Sequence, residues 1–168
     1  FSIGRVMDSE IEVSAFQDDS LGNDDAVEIA DKIKKGELSA SLVTQDSIKR
    51  AEAVNPKLNA ITVENFDLAQ TNSEKPFSGF FQGVPTFIKD TDEVPGLPLY
   101  LGSRSLPGEP SDKYSKAAKQ IIDTGLNCLG TTTTPEFGLT GTTESLRFGA
   151  TCNPWNTAYS TGGSSGGS

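Results

Sequence analysis

Apolar positions keep a helical spacing early in the chain and a strand-like one further on. Val27, Ile29, Ala30 and Ile33 mostly recur at helical intervals, with Asn23 or Asp24 able to cap the stretch and Gly36 to stop it. Ser39 or Ser41 opens a second helix that turns Leu42, Val43, Ile48, Ala51 and Val54 inward. Asn55-Pro56 is expected to close it, because the residue before a proline is pushed out of the helical region. The apolar, β-branched run from Leu58 to Asn65 predicts a strand, and Phe66 to Asn72 a short helix. Val84 to Asp90 predicts a buried strand, with Pro85 near its start, where a missing N–H does least harm. Proline and glycine then dominate from Val94 to Pro110, which implies a structured loop. Lys113 to Thr124 fits a helix ended by Gly125, and Leu126 to Gly130 a second buried strand.

This succession of strand, helix and strand points to an α/β fold with a mixed, mainly parallel central sheet flanked by helices. Residues 1–22 show little periodicity and read as an N-terminal extension, on the surface or partly disordered, which leaves 23–168 as a domain or the N-terminal portion of a larger one. After Thr134 the chain turns to Gly, Thr, Pro and Asn with scattered aromatics, the texture of a functional loop region packed on a scaffold.

Composition excludes several classes. A net charge of −9 offers no clustered Lys and Arg to neutralise phosphates, so no nucleic-acid partner is expected. No apolar run approaches the roughly 20 residues that cross a bilayer, and the start has no apolar segment of a secretory signal, so no membrane partner is expected either. The two cysteines, Cys128 and Cys152, form no C-x-x-C pair and read as buried free thiols of a reducing compartment, hence a cytoplasmic protein. The chain has no histidine, which removes His-based zinc sites and any Ser-His-Asp relay among these residues; no metal or cofactor is expected.

Two stretches could carry chemistry. In VPTFIKD, alternation places Phe87 and Lys89 on one face and Ile88 and Asp90 on the other, so Asp90 need not pair with Lys89. Lys89 is either a surface residue at a strand exit or a desolvated amine. Desolvation lowers an amine's pKa, and a neutral lysine can act as a general base near pH 7. The second stretch, STGGSSGGS (Ser160 to Ser168), has the composition of a flexible tether. It also has the glycine content that lets a backbone bring serine hydroxyls against a reacting group, but not the lysine of a phosphate-binding P-loop. Elsewhere, Trp155 reads as a packing anchor, Glu136 as a complement to a helix dipole, and Glu144 and Arg147 as loop-fixing polar residues.

Four segments in this order, GVPTFIKD (83–90), TTTTPEFG (131–138), GATCNPWN (149–156) and STGGSSGGS (160–168), resemble the amidase signature family. EIADKIKKGELSASLV and AVNPKLNAI also resemble that family's opening helices and first strand. The resemblance implies hydrolysis of an amide by a Ser-Ser-Lys triad through an acyl-enzyme. Lys89 then matches the catalytic lysine and Ser164 the bridging serine, which follows a cis Gly163–Ser164 bond. Ser165 matches a neighbouring serine that helps hold the lysine. Phe137 and Leu139 could line the acyl pocket. The threonines at 131, 132 and 133 depart from the family's usual residues, with little effect expected on chemistry.

The family's nucleophilic serine lies in a D-x-G-G-S-type loop beyond position 168, so the fold is expected to be incomplete here and these residues alone inactive. The implied partners are a small-molecule amide substrate, the C-terminal remainder carrying the nucleophile, and a homodimer as a further possibility. Two other readings stay open: an amidotransferase subunit acting on charged tRNA, and a non-catalytic binding or scaffold piece of the same fold.

Overall fold

The structure, a computed structural model, describes residues 12–168. Helix α1 (Ala26–Lys35) starts at Asp25, one residue past the predicted caps. Asp25 accepts the N–H groups of Val27 and Glu28 while the Glu28 carboxylate reaches back to the Asp25 N–H, a complete capping box. Gly36, in the left-handed conformation, ends the helix as expected. Helix α2 (Ala40–Leu58) opens at Ser39 and runs past the predicted stop, with Pro56 inside its last turn. A proline so near the end forfeits a single i to i−4 bond. The Asn55 side chain also accepts the N–H groups of Ala60 and Ile61 just beyond the end.

Strand β1 (Ile61–Glu64), helix α3 (Phe66–Ser73), strand β2 (Pro85–Lys89), helix α4 (Lys116–Ile122) and strand β3 (Asn127–Thr132) follow. All fall where the pattern puts them, with ends moved by a few residues. The sheet is mixed, in the order β1-β3-β2. β2 runs parallel to the central β3 with α4 in the crossover between them, and β1 runs antiparallel on the other side. Thr132 of β3 lies opposite Ile61 on one flank and Lys89 on the other. Beyond β3 come a 3-10 turn (Glu136–Gly138) and two small hairpins, β4 (Glu144–Ser145) with β5 (Gly149–Ala150), and β6 (Cys152–Asn153) with β7 (Asn156–Ser160).

Two apolar clusters hold the frame. Leu21, Ile29, Ala30, Val43 and Val84 join α1 and α2 to the start of β2. Ile88, Val94, Leu97 and Ala118 join the end of β2 to the 94–110 loop and α4. Each fully buried aliphatic side chain contributes about 1.5–3 kcal/mol. Between α2, α3 and β3, the buried Asn127 amide donates to Thr44 Oγ1 and to the Ala69 carbonyl, a polar pin that fixes how the three elements meet.

The stretch read as a loose extension is tied down from residue 13. Val13 N donates to the Pro154 carbonyl, Leu21 enters the first cluster, and Arg50 of α2 grips Asp19 with two bonds of 2.7 and 2.6 Å. The expectation for residues 1–11 lies outside the described residues. Cys128 and Cys152 are free as predicted but half-buried rather than buried, and burial pushes the Cys128 thiol above its ordinary pKa.

Candidate active site

Lys89 is the last residue of β2, at the carboxyl end of a parallel pair, the edge where open α/β sheets commonly place their ligands. Its Nζ lies 2.8 Å from Ser164 Oγ, a contact between residues 75 positions apart. The alternation read from sequence holds: Ile88 and Asp90 are buried, while Phe87 and Lys89 are part-buried on the other face. Both Lys89 and Ser164 keep partial exposure, so the pair is reachable from outside.

The Gly/Ser stretch is no tether. The threonines that follow and flank β3 seat it: Thr134 Oγ1 donates to the Ser164 carbonyl at 3.0 Å, and Thr143 Oγ1 to the Gly162 carbonyl at 2.7 Å. Gly167 N donates to the Thr133 carbonyl, Thr161 N to the Thr151 carbonyl, and the Thr132 and Ser168 hydroxyls lie within hydrogen-bond reach. Glycine at 167 is dictated by space, since a Cβ there would sit 2.2 Å from the Ala60 carbonyl oxygen. The Gly163–Ser164 peptide bond is cis.

Ser165 departs from expectation. Its hydroxyl makes no hydrogen bond to Lys89 among the described residues. The residue is exposed and helps line a cavity of about 390 Å³ with Leu58, Ile61, Phe87 and Trp155. A Cβ on Gly163 would lie 3.0 Å from the Thr140 carbonyl oxygen and 3.3 Å from the Gly141 carbonyl carbon.

Trp155 is not the packing anchor its size implies: it is 78% exposed, because the turn of the β6-β7 hairpin lifts it to the rim of this cavity. Phe137 and Leu139 are exposed as well. They flank Gly138, where a Cβ would lie 3.8 Å from Thr134 Oγ1, 3.9 Å from Thr91 Cγ2 and 4.0 Å from the Ser164 Cβ. Glu136 does more than face a short helix, accepting the Ser103 hydroxyl at 2.5 Å. Arg147 fixes loops as expected, donating to the Ser103 and Leu106 carbonyls with its guanidinium 3.8 Å from the Tyr100 ring centroid; Glu144 is simply exposed.

Sequence reasoning passed over Asp90 and Thr134. Asp90 has no solvent exposure and its carboxylate accepts the N–H groups of Tyr100 and Gly102. Burial pushes its pKa up, partly offset by those N–H donors, that of Leu101, and the charge of Arg147. The available signals were a carboxylate directly after the lysine at a strand end, and four threonines in a row leaving a buried strand.

The chain belongs to the amidase family, whose model matches residues 42–168. It is 42% identical over 156 residues to a putative amidase AmiC of Mycobacterium leprae, covering 93% of this chain and 33% of that protein. It is 37% identical over 147 residues to the 6-aminohexanoate-cyclic-dimer hydrolase of Paenarthrobacter ureafaciens, covering 86% of this chain and 30% of that one. The solved structure of a 6-aminohexanoate cyclic dimer hydrolase complexed with substrate superposes with a TM-score of 0.81 at 37% identity, over 86% of this chain and 30% of the other. The chain thus spans about a third of the length of the curated relatives it matches.

Proposed function

We propose that this chain supplies the base and the relaying hydroxyl of an amide hydrolase working through a Ser-Ser-Lys triad. The reading rests on one observation, the 2.8 Å contact of Lys89 Nζ with Ser164 Oγ. A serine hydroxyl is a weak nucleophile until a base takes its proton. Here the nucleophilic serine, carried by the remainder of the enzyme, passes its proton to Ser164 Oγ as Ser164 passes its own to Lys89 Nζ. The oxygen so activated adds to the amide carbonyl. The relay then runs in reverse and protonates the departing amine, leaving an ester on the nucleophile. Water enters by the same proton path, releasing the carboxylic acid and restoring the serine. Ser165 and Gly163 support this by shaping the turn rather than by touching the lysine.

Substrate and partners follow from the same reading: a small-molecule amide and the polypeptide bearing the nucleophile, in a cytoplasmic enzyme that can pair as a homodimer and engages neither nucleic acid nor membrane. Among the described residues no helix is long and apolar enough to cross a membrane. The similarity to relatives named for amide and cyclic-amide hydrolysis supports a hydrolase over an amidotransferase subunit.

The test is substitution in the full-length enzyme. Lys89→Ala and Ser164→Ala should each reduce amide hydrolysis to near background while leaving the circular dichroism spectrum and unfolding midpoint close to the parent's. Turnover retained by Lys89→Ala would refute the assigned base.

A further inference from the structure

Lys89 and Ser164 belong to separate parts of the chain, yet among the described residues no ion pair or covalent link fixes their spacing. What sets it is a frame built from groups that touch neither the Lys89 amine nor the Ser164 hydroxyl. On the lysine side, the chain leaves β2 into Asp90, a carboxylate with no solvent exposure that accepts the N–H groups of Tyr100 and Gly102. This holds the 100–102 bend directly under the strand end. Leu101 and Gly102 both have positive φ there, and a Cβ on Gly102 would lie 2.4 Å from the Thr134 carbonyl oxygen, so the bend is pressed against residue 134. Leu101 also accepts the Phe137 N–H at 2.7 Å, fastening the far end of the same segment.

On the serine side, Thr134 has no solvent exposure and its hydroxyl donates to the carbonyl of Ser164 itself. The path from Lys89 to Ser164 thus runs through Asp90, the 100–102 bend and Thr134, each link a hydrogen bond or a backbone contact.

Resting on the triad reading, we propose that Asp90 and Thr134 are positioning residues: Asp90 anchors the bend on which residue 134 rests, and Thr134 holds Ser164 at proton-transfer distance from Lys89. Neither touches substrate. An error of an ångström in such a relay is enough to lower a rate about 10²-fold.

The experiment uses the full-length enzyme and compares Thr134→Val, Thr134→Ser, Asp90→Asn and the Val/Asn double variant. The readouts are kcat, KM and the unfolding midpoint. Thr134→Val keeps the shape but leaves the Ser164 carbonyl without its donor; its kcat should fall at least tenfold with KM within twofold. Thr134→Ser, which keeps the hydroxyl, should restore kcat to within threefold of the parent. Asp90→Asn should lower kcat in the same manner, and the double variant should lose less than the product of the two single losses, the sign of two residues acting on one link.

Parent-like kcat in Thr134→Val, equal losses in the Val and Ser variants, or losses that multiply would overturn the proposal. If Asp90→Asn does not fold, the Val and Ser pair at 134 decides alone. Lys89→Ala separates the two levels: activity surviving that change sinks the triad reading, whereas activity lost there but kept in Thr134→Val sinks only the frame.

Discussion

Asp19 and Asp90 show how one residue type is tuned in opposite directions. Arg50 holds the Asp19 carboxylate in a two-pronged grip, and this hydrogen bonding, ahead of the opposing effect of burial, lowers its pKa below the ordinary 3.8. A carboxyl depressed in the folded state stabilises it at pH values above 3.8, and that contribution is lost as pH falls through the lowered value. Asp19→Asn should therefore lower the urea midpoint of the intact protein at about pH 7, and the difference from the parent should shrink as pH falls through the lowered value. A gap that persists unchanged in acid would mean the aspartate acts through packing alone. Asp90 runs the other way: with its pKa raised by burial, the folded state prefers it protonated, so its contribution is greatest in acid and declines as pH rises through the raised value.

Among the elements, the helices and the parallel pair were legible because their periods and caps are local properties of the sequence. The continuation of α2 through Pro56 was not, since it depends on the Asn55 side chain meeting backbone beyond the helix end. Nor was the seat of the Gly/Ser turn. Thr132, Thr133, Thr134, Thr143 and Thr151 are all at most 2% exposed, and their role lies in partners 18 to 92 positions away that no periodicity encodes. Lys89 and Ser164 were identifiable only because four ordered segments resemble a family; strand alternation by itself left the lysine between surface and site. The tight seat carries a prediction of its own. In Gly167→Ala the new carbon would meet Ala60 O at 2.2 Å and Thr133 N at 2.6 Å, both backbone atoms that cannot swing aside. The turn must shift, and kcat in the full-length enzyme should drop on the order of 10²-fold with little change in KM. Parent-like turnover would mean that the turn does not need its observed position.

For the molecule as a whole, coverage of about a third of its relatives and the further serine that the proposed reaction needs lead to one expectation. The 168-residue chain produced alone should show no amide turnover above background, and co-expression with the polypeptide that carries the nucleophile should restore it. Turnover by the chain alone would require a different nucleophile among these residues. Large apolar side chains are exposed along the chain, Phe16, Leu68 and Phe80 as well as Leu139, Leu146, Trp155 and Tyr159 of the final third.

The span of 75 positions between Lys89 and Ser164 also sets an order of assembly. A nascent chain that ends at β7 contains the lysine but not yet the hydroxyl, so their contact is among the last that these residues can make.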